Sequence, residues 1–358
     1  MNRLRQVRLR AQLLTGTSVT APEAVVGRLL AVQAQDPRGF RLAVRSRSSG
    51  LTAQDVDRSL ADRRLVVSWL NRGTLHLVRS EDYGWLHSLT APRNVTGTQR
   101  RLHQEGVSPA QAERGVATII GSIESEGPLG REQLRDRLDA AGVPTEGQAL
   151  VHLLVAASHQ GLVVRGPVVD GAHAFVSVAE WLGPTATPPD REEALRSLAL
   201  RYLAGHEPAT AEDLAKWAGI TLGDARAAYG ASGDDLRMVP GGVARRTTDL
   251  DDVSPLPPRL LGPFDPLLHG WASREPFVGV HGSVVTTNGI FRPVCMVGGQ
   301  VVGTWAMPSG GVVIDLLEPI GKAPTNALLA DAAAVQQYLG VDGPEPRVQA
   351  DRGRLGTS

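Results

Sequence analysis

Between Ser108 and Val178 the chain runs through one order of elements that few folds accept. "SPAQAERGVATIIGSIESEG" reads as a helix. "GREQLRDRLDAAG" is a second, ended by Gly142, and "PTEGQALVHLLVAASHQG" a third, ended by Gly161. "LVVRGPVVDGAHAFVSV" then alternates around Asp170-Gly171, the signature of a tight hairpin. Three helices followed by a two-stranded wing is the order of a winged helix. The order recurs on both sides. Upstream, "RLRAQLLTG" is a short helix, and "TAPEAVVGRLLAVQ" opens with a Thr20 cap and Pro22 in its first turn. "TAQDVDRSLADRRL" repeats that pattern, and "VVSWLNRGTLHLV" is a hairpin centred on Asn71-Arg72-Gly73. Downstream, after the Pro-rich connection "GPTATPPD", come "REEALRSLALRYLAG", "TAEDLAKWAG" and "TLGDARAAYG", with strands expected in "DDLRMVPGGVARRT". From about Leu256 the texture turns Val- and Gly-rich, with Asn288-Gly289 and Gly298-Gly299 between alternating runs. This predicts antiparallel strands forming a small barrel. A last helix covers "NALLADAAAVQQYLG", and the tail beyond it is expected to be loose or partly ordered. The expected fold is α+β: winged helices at 1–105, 106–185 and 186–250, then a β-barrel-like domain with a C-terminal helix at 251–358.

Composition narrows the function. The single cysteine, Cys295, excludes an intramolecular disulfide and a Cys-cluster metal site. The basic start lacks the apolar run of a signal peptide, and no stretch approaches a membrane span, so a soluble cytoplasmic protein is expected. Net charge is formally +0, yet residues 1–101 carry 17 Arg against 7 Asp or Glu. Such asymmetry points to a polyanion facing the N-terminal portion, unless the arginines are scattered over the surface. No zinc-protease, phosphate-loop, esterase or paired-cysteine motif occurs. The nine histidines show no ligand spacing, so neither metal nor cofactor is expected. His76 lies in a strand, where a satisfied core histidine is the simpler reading.

One short segment asks a chemical question. "LLAVQAQDPRGF" ends a helix in Gln33 and Gln35, two residues apart, followed by Asp36-Pro37. A residue before proline is pushed out of helical conformation. If the helix stops near Gln33 and residues 34–36 are extended, side chains at i and i+2 fall on one side. The two amides then converge over a buried Ala34; otherwise they are a polar helix terminus. In that register Asp36 points away and serves as a cap or turn residue.

Several ordered blocks resemble the winged-helix DNA glycosylases of the HTH_42 (AlkZ/YcaQ-like) family. "LAVQAQDPRGFRLAVRSR" matches its Q-x-Q segment, "LVVSWLNRGTLHLV" its R-G-T-L-H-L-V strand and "PATAEDLAKWAGIT" its third winged helix. "LLGPFDPLLHGW" and "NGIFRPVCMVGGQVVGTW" match its C-terminal domain. The resemblance implies monofunctional excision of alkylated purines, including bulky adducts and interstrand crosslinks, from double-stranded DNA. It carries Gln33 and Gln35 over as the catalytic pair. Arg38, Arg41, Arg45 and Arg47 are then placed to meet phosphates, and Arg72, Thr74 and His76 to contact DNA from the wing, with solvation of the wing tip the alternative for Arg72. Arg274, Asn288 and Arg292 are further DNA contacts, although Asn288-Gly289 is first a turn. Trp69 and Trp85 read as core. The chain departs from the family pattern at Trp271 and Ser273, and at Ala306 and Met307, which bears on lesion preference. A monomer wrapping DNA is expected. The rival reading is a non-catalytic winged-helix regulator, since fold alone does not give function.

Overall fold

The computed structural model describes residues 3–16, 19–183, 189–249, 251 and 254–349. The chain divides into two units, each assembled from separate stretches of sequence. One comprises Met1–Val56, Leu200–Trp217 and Ser232–Ser358; the other comprises Asp57–Ala199 and Ala218–Ala231. Among the described residues no helix is long and apolar enough to cross a membrane.

The second unit holds the helix–helix–helix–hairpin stretch as read from sequence: Pro109–Glu126, Arg131–Ala140 and Ala149–His159, then strands Val163–Val169 and Ala172–Ser177. Ser108 caps the first helix reciprocally with Gln111. At Gly115 a Cβ would come 2.9 Å from a Leu153 methyl, so this glycine permits a close helix crossing. Asp170 (φ 50°) and Gly171 (φ 79°) make the expected tight turn. The structure goes beyond the sequence in one respect. The hairpin of Leu65–Trp69 and Leu75–Arg79, expected as a separate wing, joins this one through the pairing of Val67 with Arg165. The reason lies in Leu65–Trp69, where all five positions are buried, as befits a strand with neighbours on both sides.

In the first unit the C-terminal strands form an open sheet, not a barrel. Their spatial order is Arg347–Gln349, Val313–Leu316, Gln300–Ala306, Val294–Val297 and Arg259–Leu261. Helix Lys322–Leu339 covers one face, setting Leu328, Ala332, Val335 and Tyr338 against Leu260, Cys295, Trp305 and Ile314. Among the described residues the two outer strands, Arg347–Gln349 and Arg259–Leu261, do not pair with each other, so the sheet stays open. At one edge Asp331 of the helix accepts from the Leu260 N–H (2.7 Å). At the other, part of the expected loose tail, Arg347–Gln349, adds in parallel to Val313–Leu316. The rest of that tail, from residue 350, and residues 184–188 of the Pro-rich connection lie outside the described residues. The helices Arg191–His206, Ala211–Ala218 and Leu222–Ser232 and the hairpin Leu236–Val239/Gly242–Arg245 follow in the expected order. They are shared between the two units.

Candidate active site

The segment carrying the two glutamines is shaped before either side chain is considered. Helix Pro22–Leu29 begins after Ala21, which makes no side-chain cap, so the expected Thr20 cap is not used. The helix ends at Leu29, four residues earlier than the sequence suggests. Leu30 takes φ 66° and ψ −49°, and the Ala31 N–H donates to the Leu29 carbonyl at 2.9 Å. This is a γ-turn of the strained hand, rare for a bulky residue. It is held because Leu30 is fully buried and the helix end is gripped. Gly205 packs so near that a Cβ there would lie 2.7 Å from the Arg28 carbonyl oxygen. Such strain persists only where surroundings over-determine it, and it concentrates at functional sites.

Val32–Gln33 is extended, Ala34 is 5% exposed, and Asp36 remains extended at φ −110°, ψ 123°. Gln33 and Gln35 therefore share a side, and Gln33 Nε2 donates directly to Gln35 Oε1. Gln33 is buried at 7% exposure, whereas Gln35 is exposed. The pair thus joins an anchored amide to one presented outward. Asp36 turns the other way. Its Oδ1 accepts from the N–H groups of Arg38 (2.8 Å) and Gly39 (2.9 Å), capping helix Pro37–Arg45. Replacing Asp36 by Ala is expected to lower stability by about 1 kcal/mol while leaving the excision rate within about threefold of native. Thermal melting and single-turnover excision check the two halves separately.

The helix after Asp36 is fixed by a contact that sequence reading missed. A Cβ on Gly39 would sit 2.5 Å from the Pro263 carbonyl oxygen and 3.3 Å from Asp36 Cβ. A Cβ on Gly262 would sit 2.8 Å from Leu42 Cβ. Segment 262–263 therefore lies directly on the first turns of this helix. The faint signal was a glycine inside a helix start, where it costs propensity and needs a packing reason.

The other expected site residues separate into presented and buried ones. Arg38 is exposed, and Arg41 is half-buried with its guanidinium 4.6 Å over the Phe40 ring. Arg45 corrects the sequence reading: it forks onto Asp331 (2.7 and 3.2 Å), with its side chain 11% exposed. Arg47 corrects it further, being fully buried against Asp265. Both arginines fasten the helix to the rest of the unit instead of facing solvent. In the second unit, Arg72 is half-buried in a left-handed turn (φ 56°), and burial pushes its pKa down to about 10, so it stays a cation at neutral pH. Thr74 Oγ1 donates to the Asn71 carbonyl within the same turn. His76 is buried, with Nδ1 2.9 Å from the Thr74 carbonyl oxygen. Burial, with the Arg72 charge adding to it, drives the His76 pKa down to about 3. It is a neutral strand histidine, not a surface DNA contact. Trp69 is core as expected, stacked 6.4 Å from Phe175.

Back in the first unit, Asn288 and Arg292 are exposed, and Asn288-Gly289 does form a turn between Thr286 and Ile290. Arg274 is half-buried, its guanidinium 5.0 Å over Phe291. The departure at Trp271 is internal: the ring is buried, its Nε1 donates to the His206 carbonyl (2.9 Å), and Arg8 lies 4.6 Å over it. Ser273 Oγ accepts from the Glu275 N–H (3.3 Å).

Two converging amides thus lie beside a carboxylate that is tied up in capping, and comparison with known proteins gives the chain its family. Residues 26–338 match the family described as DNA glycosylase AlkZ-like. The chain belongs to the AlkZ-like DNA glycosylase family. This AlkZ-like chain is 28% identical over 353 residues to an interstrand DNA cross-link repair glycosylase of Streptomyces sahachiroi, spanning 93% of this chain and 95% of that protein. Its structure is similar to that of the Streptomyces sahachiroi DNA glycosylase AlkZ, with a TM-score of 0.80 and 26% identity over 97% of this chain and 98% of that one. Membership makes the AlkZ-like chain an enzyme that acts as a DNA glycosylase in DNA repair, and the regulator reading falls away.

Proposed function

We propose that this glycosylase hydrolyses the bond between deoxyribose and a cationic N7-alkylated purine in duplex DNA, acting as a monomer built on three winged-helix units. Its substrates extend to bulky adducts and to crosslinks joining the two strands. Gln33 and Gln35 hold the attacking water. The observation that carries this reading is their shared side and direct hydrogen bond, next to an aspartate whose carboxylate is committed to helix N–H groups. An amide cannot take a proton at neutral pH. It can orient water and aim its carbonyl dipole at positive charge developing on the sugar. Water then adds through oxygen to C1′ as the bond from C1′ to the purine breaks. The purine leaves neutral because it began as a cation, and the water's proton passes to solvent. Such a site suffices only for a leaving group already weakened by its charge. Arg38, Arg274, Asn288 and Arg292 contact DNA from the first unit, and Arg72 and Thr74 from the second. The absence of a lysine near the Gln pair in sequence fits hydrolysis without a Schiff base.

The test is incubation with a duplex containing one N7-methylguanine, then alkali, which cleaves the strand at an abasic site. Strand cleavage with that lesion and none with uracil is expected. Efficient uracil release would require a general base and would overturn the amide mechanism. A second measurement follows the same logic. The native rate should show no acid limb from the glutamines, because amides do not titrate. Gln35→Asp should acquire one, governed by a carboxyl whose ordinary pKa is near 3.9. An acid limb present in the native enzyme and unchanged in Gln35→Asp would place the base elsewhere.

A further inference from the structure

Phe264 is a bulky residue held at φ 55°, in the left-handed region that favours glycine. Its neighbours on both sides explain why the strain is tolerated. Gly262 and Pro263 are pressed on the helix at Leu42 and Gly39, and Asp265 is locked to the buried Arg47. Residue 264 must bridge two fixed anchors, and its ring is directed accordingly. That ring lies 6.1 Å from His269, nearly parallel at 12°, and 6.0 Å from Phe291. His269 sits 3.7 Å from Phe291, and the Arg274 guanidinium covers Phe291 at 5.0 Å. Arg274 Nε is buried with no hydrogen-bond acceptor among the described residues. Phe291 is 9% exposed, but Phe264 and His269 are only half-buried. The cluster thus reaches solvent in part at Phe264 and His269, while His269 Nε2 itself is buried.

Its position matters as much as its chemistry. Phe264 follows Pro263, whose carbonyl meets Gly39 in the first turn of the helix that begins two residues after Gln35. Arg38, next to Gly39 in sequence, and Arg292, next to Phe291, are both exposed. Aromatic faces with a basic border suit a flat, positively charged ring attached to a phosphate backbone. The negative face of a phenyl ring attracts a cation, and bases stack on aromatic side chains whatever their sequence.

We propose that Phe264 and His269 form the surface on which the alkylated purine stacks while its glycosidic bond faces Gln33 and Gln35. They are positioning residues, and the inference rests on the glycosylase reading above. The test uses the full chain and a duplex with one N7-methylguanine. Single-turnover excision, melting temperature, and the ratio of affinities for lesion and undamaged duplex are measured for native protein, Phe264→Leu, Phe264→Tyr and His269→Leu. Phe264→Leu keeps apolar bulk but loses the ring. It should slow excision and reduce the affinity ratio roughly 5- to 150-fold, the range of single base–aromatic stacks. Phe264→Tyr keeps the ring and should stay within about threefold of native, and His269→Leu should slow excision at least about threefold. A native protein that releases no N7-methylguanine would sink the glycosylase mechanism itself. A native protein that is active, with Phe264→Leu and His269→Leu equally active, would overturn the stacking surface alone. So would equal losses in Phe264→Leu and Phe264→Tyr at native melting temperature, because the ring would then not be what matters.

Discussion

Gln35→Ala is expected to slow single-turnover excision of N7-methylguanine by roughly 10²- to 10³-fold while leaving melting and DNA affinity close to native. The magnitude follows from treating Gln35 as one preorganised dipole acting on transition-state charge, worth about 2.7–4 kcal/mol. Selectivity for rate over stability follows from exposure. Gln35 is exposed, so its loss opens no cavity. Gln33 is a harsher test of the same idea. It is 7% exposed and donates to Gln35, so Gln33→Ala should lose rate through both its own dipole and the freed position of its partner. Single-turnover rates for either variant within threefold of native would remove the pair from the mechanism.

The second large effect is on stability. The Arg47 and Asp265 side chains are both fully buried and joined by two hydrogen bonds of 2.9 and 2.8 Å. Arg47 also donates to Gln12 (3.0 Å), Ser46 (2.8 Å) and the Ala43 carbonyl (3.0 Å), while Asp265 accepts from the Leu267 N–H (2.9 Å). Removing one partner leaves the other charged in the interior. Arg47→Met or Asp265→Leu should therefore destabilise by about 3–5 kcal/mol, and the double replacement should recover much of the loss. Denaturant melts of the three variants check this. A single variant as stable as native would mean that the pair is not what fastens the helix to residues 262–268. Because Asp265 adjoins Phe264, the single variants should also impair excision at temperatures where they remain folded.

Much of the local structure was legible in the chain. Turn chemistry at Asp170-Gly171 and Asn288-Gly289 depends on neighbouring residues, as does the extended backbone before Pro37 that allows Gln33 and Gln35 to converge, and such short-range rules do not need a partner element. Asp36 was readable for the same reason, since a carboxylate before Pro-Arg-Gly has helix N–H groups within reach. Legibility ended where a residue's role depends on what lies far away in sequence. Arg38, Arg45 and Arg47 look alike as letters, but Asp331 and Asp265 bury two of them and leave Arg38 exposed. For His76 the strand position pointed rightly to a core histidine, and the DNA contact implied by the resemblance gives way to burial beside Arg72. The barrel expectation failed for a related reason: strand signals specify alternation, whereas closure depends on whether the outer strands meet, and here Arg259–Leu261 and Arg347–Gln349 do not pair. The sequence alone determined which residues turn, cap and alternate, and it carried the family's blocks in order. Tertiary structure alone decided which charges face water, which edges close, and how a strained Leu30 and a glycine-thin contact at Gly39 set the Gln pair. Those outcomes turn on burial and long-range approach, which no local spacing encodes.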